Sequence, residues 1–387
     1  MKHERTDDRR GPITTTCADR VIAIVLVLAA AVSLAACSVR ERPSGLTDIG
    51  RWHSPLVPDH VLEATIRSTY RAKTAAPLEV LCLTGGGANG AWGAGLLCGW
   101  RDHRAGRPKF DIVAGVSTGA LIAVNAFLGE PSDDEMLLKS YTEITQDDIF
   151  QEHFLLAVPF KSSYADSEPL AALIAARITD AVVDRVAVEA KAGRLFLVGT
   201  VNLDEGSLVV WNMTEIAAGG AEWRYRRFRE ILLASSSFPI LMPPIVIDEY
   251  LHADGALRGR HFTQRIIEPL VDECESRPEL PRPVVHVIVN GRAGIPVQFV
   301  RDRILDVGKR ALNVLLDDNI VGAIDTARRL AKTGGLTVHL SQVPDSVELP
   351  LDPAEFDTTD MRALFEHARR FGRGDKDAGA WETFPPQ

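Results

Sequence analysis

Short apolar runs alternate with helix-length stretches through most of this 387-residue chain. The first run, at 79–83, is followed by a glycine-rich loop at 84–90, a helix-length stretch at 91–100 and a second apolar run at 111–114. Apolar runs of this length are typical of strands that are buried on both faces. The order strand, helix, strand predicts a βαβ unit, and therefore an α/β fold built on a mainly parallel sheet.

The same alternation continues towards the C-terminus and predicts the remaining elements. Strands are expected at 194–202, 208–212, 245–247, 284–289 and 336–340. Helices are expected at 61–71, at 132–138, after Ser167, at 303–332 as one or two helices, and at 359–372. The residues after Arg373 are predicted to be disordered.

The stretch 110–127 contains the first candidate for chemistry. The sequence G-V-S-T-G at 115–119 stands between a strand-like run and a helix-like one, which is the pattern of a nucleophile elbow. The turn is so sharp that side chains in place of Gly115 and Gly119 would collide with neighbouring backbone. Ser117 would lie at a helix N-terminus, where unpaired N–H groups and the helix dipole favour a developing negative charge. The alternative is a small-residue turn that happens to hold a serine.

The glycine loop admits two functional interpretations. Gly85, Gly87 and Gly90 match G-x-G-x-x-G, a dinucleotide-binding pattern that also needs an acidic residue at the end of the second strand. The acid near that strand, Asp111, stands at its start instead. Three consecutive glycines, which include Gly86, would also leave backbone N–H groups uncovered in a cavity, as an oxyanion hole requires. We prefer the oxyanion hole, and a merely tight turn is the third interpretation.

A second candidate for chemistry follows the predicted strand at 245–247. Asp254 is followed by Gly255, and a glycine there allows a tight turn that leaves the carboxylate directed into a cleft. Asp-Gly is also a common hairpin turn, and the dipeptide by itself favours that interpretation.

The N-terminal residues 1–36 have the pattern of an export signal. A basic polar segment precedes an apolar run at 21–34, whose 14 residues suit a signal-peptide core better than a transmembrane span of about 20. The tetrapeptide L-A-A-C at 34–37 then resembles the lipobox of bacterial lipoproteins, in which the cysteine is diacylated and becomes the mature N-terminus. Lipidation is therefore predicted at Cys37, with an ordinary cleavage site or an uncleaved anchor as the alternative.

These patterns divide the chain into four parts. Residues 1–36 are the predicted lipoprotein signal peptide, 37–77 a proline-containing tether with one short helix, 78–345 the catalytic domain, and 346–387 a C-terminal helix and tail. The tether would hold the globular part away from the membrane.

Composition and charge bear on possible partners. The formal net charge of −9 argues against a nucleic-acid-binding surface. The five cysteines have neither the spacing of metal ligands nor that of a disulfide framework, and Cys82 and Cys98 are expected to be buried thiols. We expect neither a metal nor a cofactor.

The stretch 223–229 mixes aromatic residues with arginines, which suits anionic headgroups, although a solvated helix face is the preferred interpretation.

Three motifs stand in one order: a glycine triplet after the first strand, G-x-S-x-G after the second, and D-G-A at 254–256, which begins 137 residues after Ser117. The segment 234–244 is similar to an Ala-Ser-x-x-x-Pro…Pro-Pro segment. Together these motifs resemble the patatin-like phospholipase family over residues 78–340. The resemblance implies a three-layer sandwich in which helices flank a mainly parallel central sheet.

The resemblance also implies roles for particular residues. Ser117 would match the nucleophile and Asp254 the base, in a dyad that replaces the usual triad. The oxyanion donors would lie within Gly85, Gly86, Gly87, Ala88 and Gly90, and the motif glycines would be Gly115, Gly119 and Gly255. Where the family usually carries Arg or Lys, in G-G-G-x-[RK]-G, this chain has Asn89. A cation there could help to hold a phosphate, so the exchange bears on phospholipid preference.

A carboxylate is an unusual base for a serine. With an ordinary pKa near 3.9, an aspartate is ionised at neutral pH but is poorly matched to a hydroxyl. The site is therefore expected to hold Ser117 and Asp254 in hydrogen-bond contact and away from bulk water.

The implied function is a membrane-anchored serine acyl-hydrolase that releases fatty acids from membrane lipid esters through an acyl-enzyme. It would lie in the cell envelope, and Ser38 after the lipidated cysteine suggests the outer membrane if the host is Gram-negative.

One alternative is an α/β-hydrolase esterase with a Ser-Asp-His triad, for which the histidine candidates are His252, His261, His286, His339 and His367. Another is a non-catalytic envelope lipoprotein that binds acyl lipids.

Overall fold

The computed structural model describes residues 59–152, 163–220, 222–295, 297–349 and 353–384. These residues all belong to one compact unit, which begins at Pro55. The predicted signal peptide, the predicted lipidation site Cys37 and the first part of the predicted tether therefore lie outside the described residues.

The described elements follow the predicted alternation of strands and helices. The helices are α1 (Asp59–Arg71), α2 (Gly90–Asp102), α3 (Thr118–Leu128), α4 (Pro131–Thr142), α5 (Glu168–Arg177), α6 (Asp180–Lys191), α7 (Met213–Ala218), α8 (Trp223–Ser235), α9 (Gly259–Ser276), α10 (Ile304–Gly334) and α11 (Thr358–Arg373). The strands are β1 (Glu79–Leu83), β2 (Ile112–Val116), β3 (Gln151–Glu152), β4 (Ala165–Asp166), β5 (Leu195–Asn202), β6 (Ser207–Asn212), β7 (Ile245–Ile247), β8 (Tyr250–Asp254), β9 (Val284–Ile288), β10 (Thr337–Ser341) and β11 (Glu382–Phe384). The stretch predicted as one or two helices at 303–332 is the single helix α10.

Most of the strands form one sheet, in the order β11-β10-β9-β1-β2-β5-β8-β7, with β6 also paired to β5. Strands β10, β9, β1, β2 and β5 are parallel neighbours, whereas β6, β7, β8 and β11 join antiparallel. Strands β3 and β4 form a separate small sheet. The predicted α/β class with a mainly parallel sheet is confirmed.

Strand β5 is longer than β2 beside it, and this difference positions the site. Residues 195–199 of β5 pair with β2, and residues 200–202 pair with β8. The hairpin partner β6 pairs with residues 197–202, so β2 and β8 share the opposite edge of β5. Strand β8 therefore lies on the same edge of β5 as β2, directly beyond the carboxyl end of β2, and runs antiparallel to β5.

Alternate side chains of the sheet enter two separate hydrophobic cores. Leu81 and Leu83 of β1 belong to one core, together with side chains of α2, α3, α4, α8 and α11. Val80 and Cys82 belong to the other, together with side chains of α1, α9 and α10. Because both faces are covered by helices, the strands are apolar at nearly every position. The predicted three-layer sandwich is confirmed.

Helix α1 belongs to the globular unit and not to the predicted tether. Leu62, Ile66 and Tyr70 recur at helical spacing and are buried against the sheet. An ion pair between Arg71 Nε and Glu273 Oε1, at 2.6 Å, joins the helix to α9. The tether is therefore shorter than the predicted 37–77. A short amphipathic helix has the same pattern in a linker and in a domain, and only its packing partner distinguishes the two.

The C-terminal helix and the residues after it also belong to this unit. At Gly99 of α2, α11 approaches so closely that a Cβ would lie 1.9 Å from the carbonyl oxygen of Arg369. Strand β11 then pairs with β10, and Trp381 packs against Trp100 with ring centroids 5.1 Å apart. The predicted disorder after Arg373 is wrong for the described residues 374–384, because a short strand is stabilised by neighbours that are distant in sequence.

The cysteines within the described residues, Cys82, Cys98 and Cys274, are all buried free thiols, as predicted for the first two. Burial raises the pKa of the Cys82 and Cys98 thiols to about 12, so both stay protonated at neutral pH. None of the helices in the described part of the chain combines the length and the apolar character needed to cross a bilayer.

Candidate active site

The chain turns directly from β2 into α3 at Ser117. This residue has φ 56° and ψ −134°, a conformation that is rare for a residue with a side chain. A Cβ at Gly115 would lie 2.4 Å from the carbonyl oxygen of Gly119, and a Cβ at Gly119 would lie 2.5 Å from that of Thr84. The predicted collisions are confirmed, and the turn has the backbone strain that often accompanies functional residues.

Ser235 at the end of α8 holds this turn in place. Its hydroxyl donates a hydrogen bond to the carbonyl oxygen of Gly199 at 2.7 Å and accepts one from the backbone N–H of Ser117 at 3.0 Å. The side chain is fully buried. Ser235 belongs to the segment 234–244, but this role cannot be predicted from the sequence, because a motif does not indicate which distant backbone groups a buried hydroxyl will contact.

Asp254 is the last residue of β8 and pairs with Thr200, one residue beyond the point at which β2 ends. Its Oδ2 accepts a hydrogen bond from Ser117 Oγ at 2.6 Å. Its Oδ1 accepts a second one from the backbone N–H of Ala256 at 2.8 Å. The structure therefore brings together the two residues predicted as nucleophile and base.

Gly255 directs the carboxylate of Asp254 towards the serine. A Cβ at Gly255 would lie 2.3 Å from the carbonyl oxygen of Gly199, so only glycine fits this turn. The chain then continues into the 3-10 turn Gly255–Arg258, and the alternative of a hairpin turn at Asp-Gly is wrong. The backbone N–H of Asp254 donates to the carbonyl oxygen of Ser237 at 3.0 Å, which fixes the end of the strand.

Burial changes the acidity of this carboxylate. Asp254 is 1 % exposed, and the loss of solvent raises its pKa from 3.8 to about 7, although the hydrogen bonds from Ser117 and Ala256 oppose the change. A base is most effective when its pKa lies near the working pH. The mismatch expected for a carboxylate base is therefore much smaller in the folded protein than in an exposed aspartate.

The glycine loop lies directly beside the serine. A Cβ at Gly85 would be 3.1 Å from the Cβ of Ser117, and one at Gly86 would be 1.9 Å from the carbonyl oxygen of Asn290. Among the described residues, the N–H groups of Gly85, Gly86 and Gly87 find no hydrogen-bond acceptor. They are free to donate to an oxygen that gains charge beside Ser117.

The two other predicted oxyanion donors are already engaged. Ala88 donates its N–H to the carbonyl oxygen of Pro353 at 2.9 Å, and Gly90 donates its own to the carbonyl oxygen of Gly87 within a 3-10 turn. The oxyanion prediction therefore does not fit Ala88 and Gly90 in this arrangement. The bond to Pro353 has no local sequence signal, since it joins segments at opposite ends of the domain.

Asn89 stands where the family pattern has a cation. It is 6 % exposed, and its Oδ1 has no hydrogen-bond partner within the described residues. Two guanidinium groups line the neighbouring cavity from other elements, those of Arg177 and Arg292. Arg292 lies two residues after Asn290, whose carbonyl oxygen touches the glycine loop. The site therefore has a cation near the loop, although not at the position that the pattern indicates.

A cavity of about 420 Å³ opens beside Ser117 and Asp254, a size typical of small-molecule sites. The wall formed by α3, α4, α5 and the segment 238–242 is mainly apolar, with Leu121, Leu137, Leu173, Ile174 and Phe238. The wall formed by the loop 290–295 and α10 also carries the polar side chains Asn313, Asp317 and Asn319. Ser236 lines the cavity as well, and its buried hydroxyl has no partner in the described part of the chain.

No histidine of the described residues contributes to this cavity. Of the histidines in the described ranges, none lines it and none hydrogen-bonds to Ser117 or Asp254. The candidates for a triad have other surroundings: His252 contacts Thr200, His286 contacts Glu79, His339 contacts Thr383, His367 contacts the carbonyl oxygen of Ala378, and His261 is exposed. Burial also lowers the pKa of His252 to about 4, so it is neutral at pH 7.

The other cofactor interpretations lack the groups they need. Among the described residues, no group of three or more His, Cys, Asp or Glu side chains is arranged to hold a metal ion. The dinucleotide interpretation of the glycine loop requires an acid at the end of β2, where the chain instead enters the turn at Ser117.

One family model matches the part of the chain that forms this site. Residues 81–263 match the family model described as patatin-like phospholipase, a range that contains the glycine loop, the serine turn and Asp254. The chain thus carries a patatin-like phospholipase domain, and the protein is a lipid acyl hydrolase. A search of curated proteins finds no match. Among solved structures, the crystal structure of VipD from Legionella pneumophila is similar at 12 % identity, covering 80 % of this chain and 68 % of that chain with a TM-score of 0.30.

Proposed function

We propose that the protein is a membrane-anchored serine acyl-hydrolase in which Ser117 and Asp254 form a catalytic dyad. The observation that carries the proposal is the 2.6 Å hydrogen bond between Ser117 Oγ and Asp254 Oδ2 at an open cavity. The N–H groups of residues 85–87, which have no acceptor among the described residues, lie beside it. A nucleophile, a base and donors for negative charge are the groups that acyl transfer requires.

The proposed reaction has two halves. Asp254 accepts the hydroxyl proton of Ser117 as Oγ attacks the ester carbonyl, and the loop N–H groups stabilise the oxyanion of the tetrahedral intermediate. The bond to the alcohol then breaks, Asp254 returns the proton to that alcohol, and the fatty acyl group stays on Ser117. Water attacks this ester, gives its proton to Asp254, and the proton returns to Ser117 Oγ as the fatty acid leaves.

The alternatives have less support. A Ser-Asp-His triad needs a histidine between the serine and the acid, whereas Ser117 and Asp254 are in direct contact. A lipoprotein that only binds acyl lipids has no need for a strained serine or for a carboxylate whose charged form is disfavoured by burial.

The proposed substrate is a lipid ester whose acyl chain lies against the apolar wall of α3, α4 and α5. Arg292 would meet a phosphate group, because it lines the cavity near the glycine loop and its polar contacts within the described residues use Nη1 alone. Nη1 donates to two backbone carbonyl oxygens and lies 3.9 Å from the carboxylate of exposed Asp345, which leaves the other guanidinium donors for a phosphate. It would supply the charge that Asn89 lacks. Ser236, whose buried hydroxyl has no partner within the described ranges, would hydrogen-bond an oxygen of the bound ester.

Membrane anchoring through Cys37 is part of the same proposal. Each buried methylene contributes about 0.8 kcal/mol, so a diacylglyceryl group would anchor the protein stably where a single chain would not. The enzyme would then act on the bilayer to which it is tethered. The proposed location is the cell envelope, and the outer membrane if the host is Gram-negative, because Ser38 follows the cysteine.

A lipid-class hydrolysis panel tests the activity. The full chain and its Ser117→Ala variant are incubated with phospholipids, acylglycerols and a soluble short-chain ester, and both are treated with a fluorophosphonate probe. We expect fatty-acid release and labelling from the native protein and neither from the variant. Undiminished hydrolysis by Ser117→Ala would exclude this serine as the nucleophile. A native protein that binds lipid but neither hydrolyses it nor reacts with the probe would favour the non-catalytic lipoprotein.

A further inference from the structure

Six large apolar side chains near the cavity are exposed to solvent. Three lie in the loop before α10, where Phe299 is fully exposed and Val297 is 97 % exposed. The others lie on α10, where Leu315 is 59 % exposed. We call this set the docking patch: Val297, Phe299, Val300, Val307, Val314 and Leu315. Soluble surfaces rarely collect apolar side chains in this way unless they contact another molecule or a membrane.

The N-terminal half of α10 is apolar on two opposite sides. Val307, Val314 and Leu315 recur at i, i+7 and i+8, so they share one exposed face of the helix. On the inner side, Leu316 and Ile320 line the cavity. An amphipathic helix at a protein surface needs only its inner face to be apolar, so packing within the domain does not explain the outer face.

The docking patch adjoins the cavity in two places. Ile295 lines the cavity, and Val297 begins the patch two residues later. On α10, Leu316 lines the cavity and its neighbour Leu315 is exposed. A molecule that covers the patch would therefore lie at the edge of the catalytic cavity.

The charges around the patch suit an anionic surface. Residues 297–315 carry four cations and two acids, Asp302 and Asp306, so the segment has a formal charge of +2, while the next acids on α10 are Asp317, which lines the cavity, and the exposed Asp318. Arg301 and Arg303 are exposed, and neither has a carboxylate partner within the described residues. The arginines of α8, by contrast, are neutralised: Arg224 pairs with Asp184, Arg227 with Asp248 and Arg229 with Asp180.

We propose that the docking patch inserts its apolar side chains into the interface of a bilayer that contains anionic lipid, while Arg301 and Arg303 contact lipid phosphates. Burial of apolar side chains and attraction between cations and anionic headgroups are the two contributions that hold an interfacial helix at a membrane. The patch is separate from the predicted anchor at Cys37. A lipid anchor would limit the distance between the domain and the membrane, whereas the docking patch would orient the domain so that its cavity faces the lipid. That orienting role rests on the proposed function, but insertion does not.

A fluorescence experiment tests insertion without any need for activity. In the Ser117→Ala background, Leu315→Cys is labelled with an environment-sensitive nitrobenzoxadiazole dye, and Val188→Cys, whose native valine is 61 % exposed on α6, is the matched control. The parent protein without an added cysteine measures labelling of native thiols. Vesicles of phosphatidylcholine with phosphatidylglycerol should raise and blue-shift the emission at 315 and leave 188 unchanged. An equal response at both positions would refute insertion.

Activity measurements test the orientation. Val314→Glu with Leu315→Glu should lower hydrolysis of vesicle lipid by about tenfold or more, since each substitution removes an apolar side chain from the interface. Turnover of a soluble short-chain ester should stay unchanged, because neither residue lines the cavity. Val188→Glu should leave both activities intact. Equal losses on both substrates would show a structural role for these residues and would overturn the proposal.

Two further results distinguish the molecules that could cover the docking patch, a bilayer and a second copy of the chain. A fluorescence change at 315 that rises with protein concentration and needs no vesicles would indicate a second copy of the chain, and would refute the bilayer. Arg301→Gln with Arg303→Gln should remove the preference for vesicles that contain phosphatidylglycerol over pure phosphatidylcholine. If the native protein hydrolyses no ester at all, the proposed function fails, while the fluorescence result still decides insertion.

Discussion

Val116 and Asp254 occupy successive positions along one edge of β5, where Val116 pairs with Gly199 and Asp254 pairs with Thr200. One strand arrives parallel to β5 and the other antiparallel, so their ends meet between these two positions. Ser117, which follows Val116, therefore lies against the carboxylate of Asp254, although 137 residues separate them in the chain. The length of β2 relative to β5 is what brings the proposed nucleophile and the proposed base together.

The acidity of Asp254 predicts the pH dependence of the reaction. The base must be ionised to accept the serine proton, and its pKa is raised to about 7 by burial. We therefore expect kcat/KM on a soluble ester to rise with pH, to reach half its maximum near pH 7 and to level off above it. An activity that stays constant down to pH 5 would contradict the assignment, because Asp254 is then largely protonated.

Removal of the base should slow the reaction strongly. Asp254→Asn keeps the shape of the side chain but cannot accept a proton, so turnover should fall by about 10²–10⁴-fold. The control is single substitution of each candidate histidine, for instance His261→Ala at an exposed position, with folding checked by circular dichroism. A histidine variant that folds and loses as much activity as Asp254→Asn would restore the triad.

The same substitution should stabilise the folded protein at neutral and alkaline pH. The folded protein holds the Asp254 proton up to about pH 7, whereas the unfolded chain loses it near the ordinary pKa of 3.8. The free energy of unfolding therefore falls as the pH rises through this window, by at most about 4 kcal/mol. Asp254→Asn removes this dependence and should melt higher than the native protein at pH 8, with a smaller difference near pH 4.

Thermal melts across that pH range measure the effect. Asp147→Asn, at an exposed aspartate, is the matched control and should leave the profile unchanged. The prediction is wrong if the native protein is as stable as Asp254→Asn at pH 8, or more stable. The contacts of the ionised carboxylate would then offset its loss of solvent.

The glycine loop should not tolerate a side chain. A Cβ at Gly86 would lie 1.9 Å from the carbonyl oxygen of Asn290, so Gly86→Ala has to displace the loop and its N–H donors. The obstacle is steric contact and not backbone strain, since φ at Gly86 is 162° and thus extended. We expect turnover to fall by about 10²-fold or more, as for the loss of one oxyanion donor.

The matched control for this substitution is Gly220→Ala, where an added Cβ has no neighbour within 4 Å. Melting curves of both variants separate misfolding from a displaced donor. If Gly86→Ala proves folded and fully active, the loop does not hold the oxyanion.

The N-terminal sequence leads to a prediction about processing. Lipidation at Cys37 after removal of residues 1–36 should add a diacylglyceryl group to the mature N-terminus. Mass spectrometry of the protein purified from its host's membranes checks this directly, and Cys37→Ser should prevent the modification. An unmodified Cys37, or a mature protein that keeps the apolar run 21–34, would refute lipidation. Separation of inner and outer membranes then tests the role of Ser38.

Much of the fold was predictable because it follows from local pattern. Buried strands such as β1 and β5 are apolar runs whose bounds the sequence indicates within a residue or two. Elements with little apolar surface of their own were missed or misassigned. Strand β11 was predicted as disordered, and α1 was predicted as part of a tether. Both are held by partners that the local sequence does not indicate.

The sequence by itself determined the serine turn and indicated the two residues that are proposed to react. Glycine at positions 115 and 119 is dictated by backbone contacts within a few residues, so the local pattern carries that information. Only the tertiary structure decided the acidity of Asp254, the choice of loop donors and the surface beside the cavity. These depend on burial, on a carbonyl group from Pro353 and on which face of α10 turns outward. The reason is physical: solvation and long-range contacts depend on the position of every surrounding segment, and no short stretch of sequence contains that information.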